Sequence, residues 1–216
     1  LPLAADERVL AVVPQGYAVD ETNGVSDPRG MAATCLYGRY HVVTVSDQGA
    51  RNLQRVCEKL ELSVEQVYLE PLASAASVLD VDEQELGVLL LDIGSETTTI
   101  AVYRDGILLY TGLVPTGGWQ LTSDLARGLK TPTGEAERLK LSHGCASATG
   151  LQEGEIFEVP GLGGRPPKML PREAMVELIE PRAEDLLIAA ARKLESAGFR
   201  AEDLASGVVL CGGTAA

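Results

Sequence analysis

Apolar and polar residues alternate along RVLAVVPQGYAVD (8–20) with the period of two expected of a half-buried strand. The next stretch, ETNGVSDPRG (21–30), is dense in Asn, Gly, Asp and Pro and predicts an exposed turn. A second β-rich run, MAATCLYGRYHVVTVS (31–46), precedes a change of period. Leu53, Val56, Cys57 and Leu60 stand at i, i+3, i+4 and i+7, so 47–62 predicts an amphipathic helix with Asp47 as its cap. VEQVYLEP (64–71) predicts a third strand. Residues 1–69 therefore predict a small sheet with one helix packed on it.

Further along, PLASAASVLDVDEQELG predicts a helix and a loop. Strands follow at 88–92, 98–104 and 107–113, joined by two short turns, which makes this sheet antiparallel at least in part. GGWQLTSDLARGL enters a helix through two glycines. Thr131 and Pro132 fit an N-cap and a first helical position for PTGEAERLKLSHG, which stops at Gly144. Residues 145–170 read as looser chain, 172–197 as a long helical run interrupted at Pro181, and GVVLCGG as a last apolar strand. No internal repeat or low-complexity tract is visible.

The 216 residues, 45% of them hydrophobic, suffice for one large domain or two small ones. No window approaches the roughly 18 consecutive apolar residues of a membrane span, and LPLAADERVL lacks the basic start of a signal peptide, which predicts a folded cytoplasmic protein. A formal net charge of -13 opposes nucleic acid and anionic lipid, and favours proteins or small ligands as partners. Cys35, Cys57, Cys145 and Cys211 form no Cys-x-x-Cys pair, and His41 and His143 are the only histidines, so spacing builds no metal site. Four reduced, mostly buried thiols are expected. Neither histidine sits in the context of a nucleophilic triad.

Candidate chemistry centres on LLLDIGSETTTIAVYRDG (89–106). A strand ending in Asp-x-Gly that turns back through small hydroxylated residues presents N–H groups to a phosphate, while the aspartate can hold a metal-bound water. The spacing of Asp92, Gly94 and Thr98 matches that device; a plain hairpin turn explains it equally well. Glu137 and Lys140 share a helix face, where the acid could accept from ribose hydroxyls and the lysine could lie along a base, or where the two simply form a surface ion pair. Gly212 and Gly213, after VVLC, let a flat base approach the backbone or merely make a turn.

In this order the pieces resemble the second half of the nucleotide cleft of the actin and heat-shock-70 superfamily. In detail they resemble the FtsA family of bacterial cell-division proteins, through VPQGYAVD, SDPRGMAA, LEPLASAASVLDVDEQELGVLLLDIG, TSDLARGLKTPTGEAERLKLSHGCA, GGRPPK, IEPR and GVVLCGGTAA. The resemblance implies an α/β, actin-like (ribonuclease-H-like) ATPase fold with a 2B insertion and a small SHS2-like α/β subdomain 1C. Residues 1–69 would be 1C, 70–144 and 205–216 would be 2A, and 145–204 would be 2B. It also implies that a first phosphate loop precedes Leu1 and that a membrane-binding amphipathic helix follows Ala216.

From the same resemblance come ATP with Mg2+ as cofactor of the full-length protein, none held tightly by this length of chain, and at most weak ATPase activity. The nucleotide-binding residues would be Asp92, Gly94, Ser95, Thr97, Thr98, Gly117, Gly118, Glu137, Lys140, Gly212 and Gly213, with Asp92 as the possible metal or water site. The implied role is a scaffold that tethers FtsZ to the inner face of the cell membrane at the division septum, alongside other divisome proteins. It would self-associate through 1C, whose exposed loop carries Arg29. Arg182, with Lys168, Arg172 and Asp185, would hold the acidic FtsZ C-terminal peptide. Pro181 would open a helix and put Arg182 in its first turn, where a cation needs an anionic neighbour such as Glu180 or Asp185. An adaptor resembling PilM of type IV pilus assembly is the alternative, against which GGRPPK and IEPR argue. The loop departs from the family's Asp-x-Gly-Gly-Gly-Thr and the acid after it: Ser95, Glu96 and Thr99 stand there. A carboxylate at 96 facing a phosphate about 4 Å away would cost about 1 to 4 kcal/mol.

Overall fold

The computed structural model describes residues 3–149, 151 and 154–215. The first two residues of the expected 1–69 unit, residues 150, 152 and 153 of the 145–204 segment, and residue 216 lie outside the described residues. The chain forms two compact units, Leu1–Leu90 with Ala101–Thr111 and Glu202–Val209, and Leu91–Ile100 with Gly112–Ala201 and Leu210–Ala216.

In the first unit β1 (Glu7–Val19) lies between β2 (Thr22–Val25) and β3 (Leu36–Ser46), antiparallel to both. Pro14 has no N–H to give a ladder, and the register shifts between Pro14 and Gly16, where a bulge accommodates it. β2 lies inside the stretch expected to be only a turn. Its polar composition is tolerated because it is an edge strand with three of its four residues exposed. The Asp20 carboxylate accepts from the N–H groups of Thr34 (3.0 Å) and Cys35 (2.8 Å), closing the loop beyond it.

Helix α1 (Asp47–Lys59) forms where the period of the apolar residues predicts it, but Ser46 rather than Asp47 caps it, accepting from the Gly49 N–H at 3.3 Å. Its packing corrects the expectation. Leu53, Val56 and Leu60 are 68%, 57% and 67% exposed, and Ala50 is the buried residue of the helix. Periodicity shows that a helix has an apolar face; it does not supply the surface that covers it. The expected strand at 64–71 is likewise absent, and 62–69 has no regular structure. Val64 and Val67 fall on opposite parities, and Pro71, which cannot donate, opens helix α2 (Glu70–Val78). The loop expected after it contains α3 (Val81–Leu86), started by a capping box in which the Asp80 N–H donates to Glu83 Oε2 at 2.9 Å. Gln15 Nε2 donates to the carbonyls of Leu108 and Leu109, and His41 Nε2 is 2.9 Å from Thr111 Oγ1.

Strands β4 (Val88–Ile93), β5 (Thr98–Arg104), β6 (Ile107–Val114) and β9 (Val208–Cys211) form a sheet in the order β6-β5-β4-β9. Unbroken burial from Val88 to Leu91 and from Thr98 to Tyr103 means that both faces are covered, which is why these strands read as continuous apolar runs.

The second unit packs α4 (Gly118–Leu129), α5 (Thr133–His143) and α6 (Glu173–Ser196) around Leu121, Leu125, Leu139, Met175 and Ile179. Phe157 and Val159 of β7 (Ile156–Val159) join that core, and β7 pairs with β8 (Lys168–Pro171) inside the segment expected to be loose. Thr131 is not the cap of α5: its hydroxyl donates to the Pro160 carbonyl at 2.7 Å, and Pro132 takes the N-cap position. Nor does Pro181 divide α6, which runs unbroken for 24 residues. Burial of Met175, Val176 and Ile179 before the proline, and of Leu186, Ala190 and Leu194 after it, holds both halves to one core and offsets the missing N–H. None of the four cysteines is in a disulfide, but Cys35 is exposed and the other three are only partly covered. Among the described residues, no helix is long and apolar enough to cross a membrane.

Candidate functional site

β4 ends at Ile93 and the chain turns through residues 94–97 into β5, with the Gly94 N–H donating to the Thr97 carbonyl at 2.9 Å. Two other segments close on this turn. The Gly118 N–H donates to Gly94 O (2.9 Å) and the Trp119 N–H to Ser95 O (2.7 Å), so α4 starts against the loop. After β9, Thr214 donates its N–H to Ile93 O (3.1 Å) and its hydroxyl to Gly94 O (3.0 Å).

Glycine is required where the segments touch. A Cβ at Gly117 would lie 2.5 Å from Gly94 O, one at Gly118 would collide with Thr214 Oγ1, and one at Gly212 would lie 2.5 Å from Asp92 Oδ1. Gly212 also has φ +92°. Gly213, by contrast, has open space at its Cβ position. Residues 92–97, 117–118 and 212–214, far apart in sequence, are thus one backbone cradle. Thr98 lies beneath it, fully buried, donating its hydroxyl to Thr116 O at 2.8 Å. Glu96 is exposed. Thr99 Oγ1 is a buried hydroxyl without a hydrogen-bond partner.

The pair on α5 joins the cradle through α4. Lys140 Nζ donates to Glu137 Oε2 (2.8 Å), to Thr122 Oγ1 (3.0 Å) and, at 3.4 Å, to the Gly118 carbonyl. Its side chain is 13% exposed against 42% for Glu137. The ammonium is therefore clamped within the protein rather than extended toward a base. Partial burial works to raise the Glu137 carboxyl, but hydrogen bonds from Lys140 and Thr122 and the Lys140 charge outweigh it and hold the group below the usual glutamate range. Beside Lys140 opens a cavity of about 530 Å³, lined by Leu121, Ile179, Leu187, Leu210 and Gly213 among others. Its size and apolar walls suit a flat organic group.

Trp119, Thr122 and Thr214 are contributors that sequence reasoning did not pick out. Each works through a main-chain or cross-helix contact that no period or spacing announces.

Of the cations expected to hold an acidic peptide, Arg172 and Arg182 are ion-paired within the chain. Arg172 precedes α6, where it donates to Glu155 Oε2 (2.6 Å) and the His143 carbonyl (3.1 Å). Lys168 is exposed on β8. Arg182 lies about 15 Å along the helix from Arg172 by helical rise. Because α6 is continuous, Arg182 is not in a first turn, so the dipole argument lapses. Its anionic neighbour is Asp124 of α4, which accepts from Nε at 2.7 Å; Asp185 is 3.6 Å from Nη1. These groups border a shallow groove with Gly128, Glu177 and Pro181.

Comparison with known proteins places this geometry. Residues 89–215 match the family model described as "Cell division protein FtsA", and residues 1–44 the "SHS2 domain inserted in FTSA". The chain is 42% identical over 213 residues to cell division protein FtsA of Pseudomonas aeruginosa, covering 98% of this chain and 51% of that protein. It is 40% identical to FtsA of Escherichia coli (97% and 51% covered) and 36% identical to FtsA of Bacillus subtilis (98% and 48% covered). The chain thus spans about half the length of these curated relatives. Among solved structures, MreB5 of Spiroplasma citri bound to ADP is similar with a TM-score of 0.63 at 17% identity, covering 78% of this chain and 54% of that one. A PilM-PilN type IV pilus biogenesis complex is similar with a TM-score of 0.66 at 15% identity, covering 99% and 52%. These two likenesses are of fold alone: the fold is that of the actin-like ATPases, with an SHS2 domain. The sequence matches and the fold agree that the chain belongs to the FtsA family.

Proposed function

We propose that the chain is the nucleotide-binding half of a cell-division scaffold, with ATP cradled by residues 92–97, 117–118 and 212–213 and its sugar read by Glu137. The observation that carries this is the glycine cradle: three separate segments meet at Gly117, Gly118 and Gly212 without room for a Cβ, beside an apolar cavity. The N–H groups of Gly94, Gly117, Gly118 and Trp119 all have internal partners, so phosphate contact falls to the turn around Ser95 and Thr97. Exposure of Glu96 lets its carboxylate swing into solvent and away from that phosphate. Asp92 would hold the water shell of a Mg2+ ion carried in with ATP. Residues 1–69 would be subdomain 1C and make contacts between subunits, and residues 145–204 would be 2B. The acidic FtsZ tail peptide would dock at Arg182. The whole protein would act at the inner face of the membrane at the division site, attached through a C-terminal amphipathic helix outside residues 1–216.

Titrating ATP into the chain while following amide chemical shifts tests this. The expected dissociation constant lies between about 1 μM and 1 mM, because the superfamily's cleft closes on nucleotide from two sides. Shifts confined to residues outside 92–97, 117–122, 137–140 and 212–214, or none at saturating ATP, would refute the assignment.

A further inference from the structure

Thr122 is fully buried one turn into α4, a place where threonine is a weak helix former and where a hydroxyl needs a partner. Its Oγ1 lies within bonding distance of three groups: the Gly118 carbonyl (3.1 Å), Lys140 Nζ (3.0 Å) and Glu137 Oε2. The hydroxyl has one proton to give. Lys140 can only donate, so it gives to Thr122, and the threonine proton goes to whichever acceptor is stronger. An ionised carboxylate outcompetes a backbone carbonyl, and the Gly118 carbonyl already faces Lys140 Nζ.

Both donors therefore reach the same carboxylate oxygen, Oε2. Two bonds to one oxygen fix the carboxyl plane, and among the described residues no donor is placed on Oε1. The carboxylate is held ionised and partly exposed at the rim of the cradle. The first turn of the same helix is bound to the loop 94–95 through Gly118 and Trp119, so Thr122 registers the carboxylate against the loop as well.

We infer that Thr122 is a positioning residue that orients Glu137 so that Oε1 accepts from the sugar hydroxyls of a bound nucleotide, making the site selective for ribonucleotides over nucleotides lacking those hydroxyls. This rests on the nucleotide reading above. Wild type and three variants, Thr122→Val, Thr122→Ser and Thr122→Cys, are titrated with ATP and with 2′,3′-dideoxyATP, with circular dichroism melts to confirm folding. Wild type and Thr122→Ser should prefer ATP by about tenfold or more, as expected for a hydrogen bond to a charged group. Thr122→Val and Thr122→Cys should bind the two nucleotides within about twofold of each other, because neither offers a strong donor to Glu137. Affinity for the dideoxy nucleotide should be the same in all four proteins, which loss of packing alone would not produce. Should the valine variant fail to fold, the serine and cysteine pair, which differ in a single atom, carries the comparison. Retention of the preference in the valine or cysteine variant overturns the role of Thr122. Equal binding of both nucleotides by wild type overturns sugar selection while leaving the nucleotide site intact. Binding of neither overturns the nucleotide reading, and this inference with it.

Discussion

Replacing Gly212 by alanine adds one methyl group at a place with no room for it. The new Cβ would sit 2.5 Å from Asp92 Oδ1 and 2.6 Å from the Ile93 carbonyl oxygen, and the second of these is backbone at the end of a buried strand. The residue would also keep φ near +92°, a conformation that L side chains rarely adopt. Left-handed backbone costs about 1 to 2 kcal/mol for a non-glycine residue. Overpacking adds about 1 to 3 kcal/mol, so the expected loss is about 2 to 5 kcal/mol. Gly213→Ala is the control, since its Cβ meets nothing within 4 Å and its φ is unremarkable. Trp119 is the only tryptophan, and it lies in the same compact unit as Gly212 and Asp92. Urea unfolding followed by its fluorescence should show the Gly212→Ala midpoint lowered by about 1 to 3 M and the Gly213→Ala midpoint nearly unchanged. Coincident midpoints for the two variants would show that the close approach of 212 to Asp92 is not what the glycine is there for.

Two further outcomes follow from the groups around Arg182 and His41. Arg182→Glu should weaken binding of a labelled FtsZ tail peptide by at least about tenfold, and Asp124→Asn should strengthen it by freeing the guanidinium from its 2.7 Å partner; fluorescence anisotropy decides, and weaker binding by both variants would make the ion pair a structural one. Burial lowers the His41 pKa below its ordinary 6.5, so below that pH the unfolded chain binds a proton that the folded chain resists; stability should be full above pH 6.5 and fall as the pH drops toward the folded value, and a thermal melt series on His41→Gln should lack that component.

Strands β4 and β5 were legible because a strand buried on both faces must be apolar throughout, and their turn because Asp-x-Gly followed by small hydroxylated residues marks a reversal. The resemblance draws on β4 with its turn and on stretches along almost the whole chain, from VPQGYAVD to GVVLCGGTAA. What stayed illegible depends on partners distant in sequence. Pro181 marks a helix break by local rules, yet six buried residues on its two sides hold α6 straight through it. The nearer anion beside Arg182 is 58 positions away, at Asp124, while Asp185, a neighbour in sequence, stands farther off at 3.6 Å. Thr122 looks like any helix threonine until α5 brings Glu137 and Lys140 onto its hydroxyl. Gly117 and Gly118 read as a helix entry, and only the folded chain shows that Gly94 O and Thr214 occupy the space a side chain would need.

The exposed stripe of α1 bears on the energy needed to open that helix. Its 13 residues bury only Ala50, so little tertiary packing would be lost if it unwound by itself. An isolated helix of about 12 to 15 residues is marginal in water. Local contacts at its start are the Ser46 cap and the ion pair of Asp47 with Arg51; beyond them Asp47 is tied to Asp6 O and lies 3.8 Å from Arg8. A cap and an ion pair of the first two kinds contribute about 1 kcal/mol and a few tenths of a kcal/mol respectively. α6 is the opposite case, anchored by six buried residues along its length. Amide protons along Asp47–Lys59 would therefore exchange with solvent through local fraying, while those near Met175 and Leu194 would wait for the unit around them to unfold.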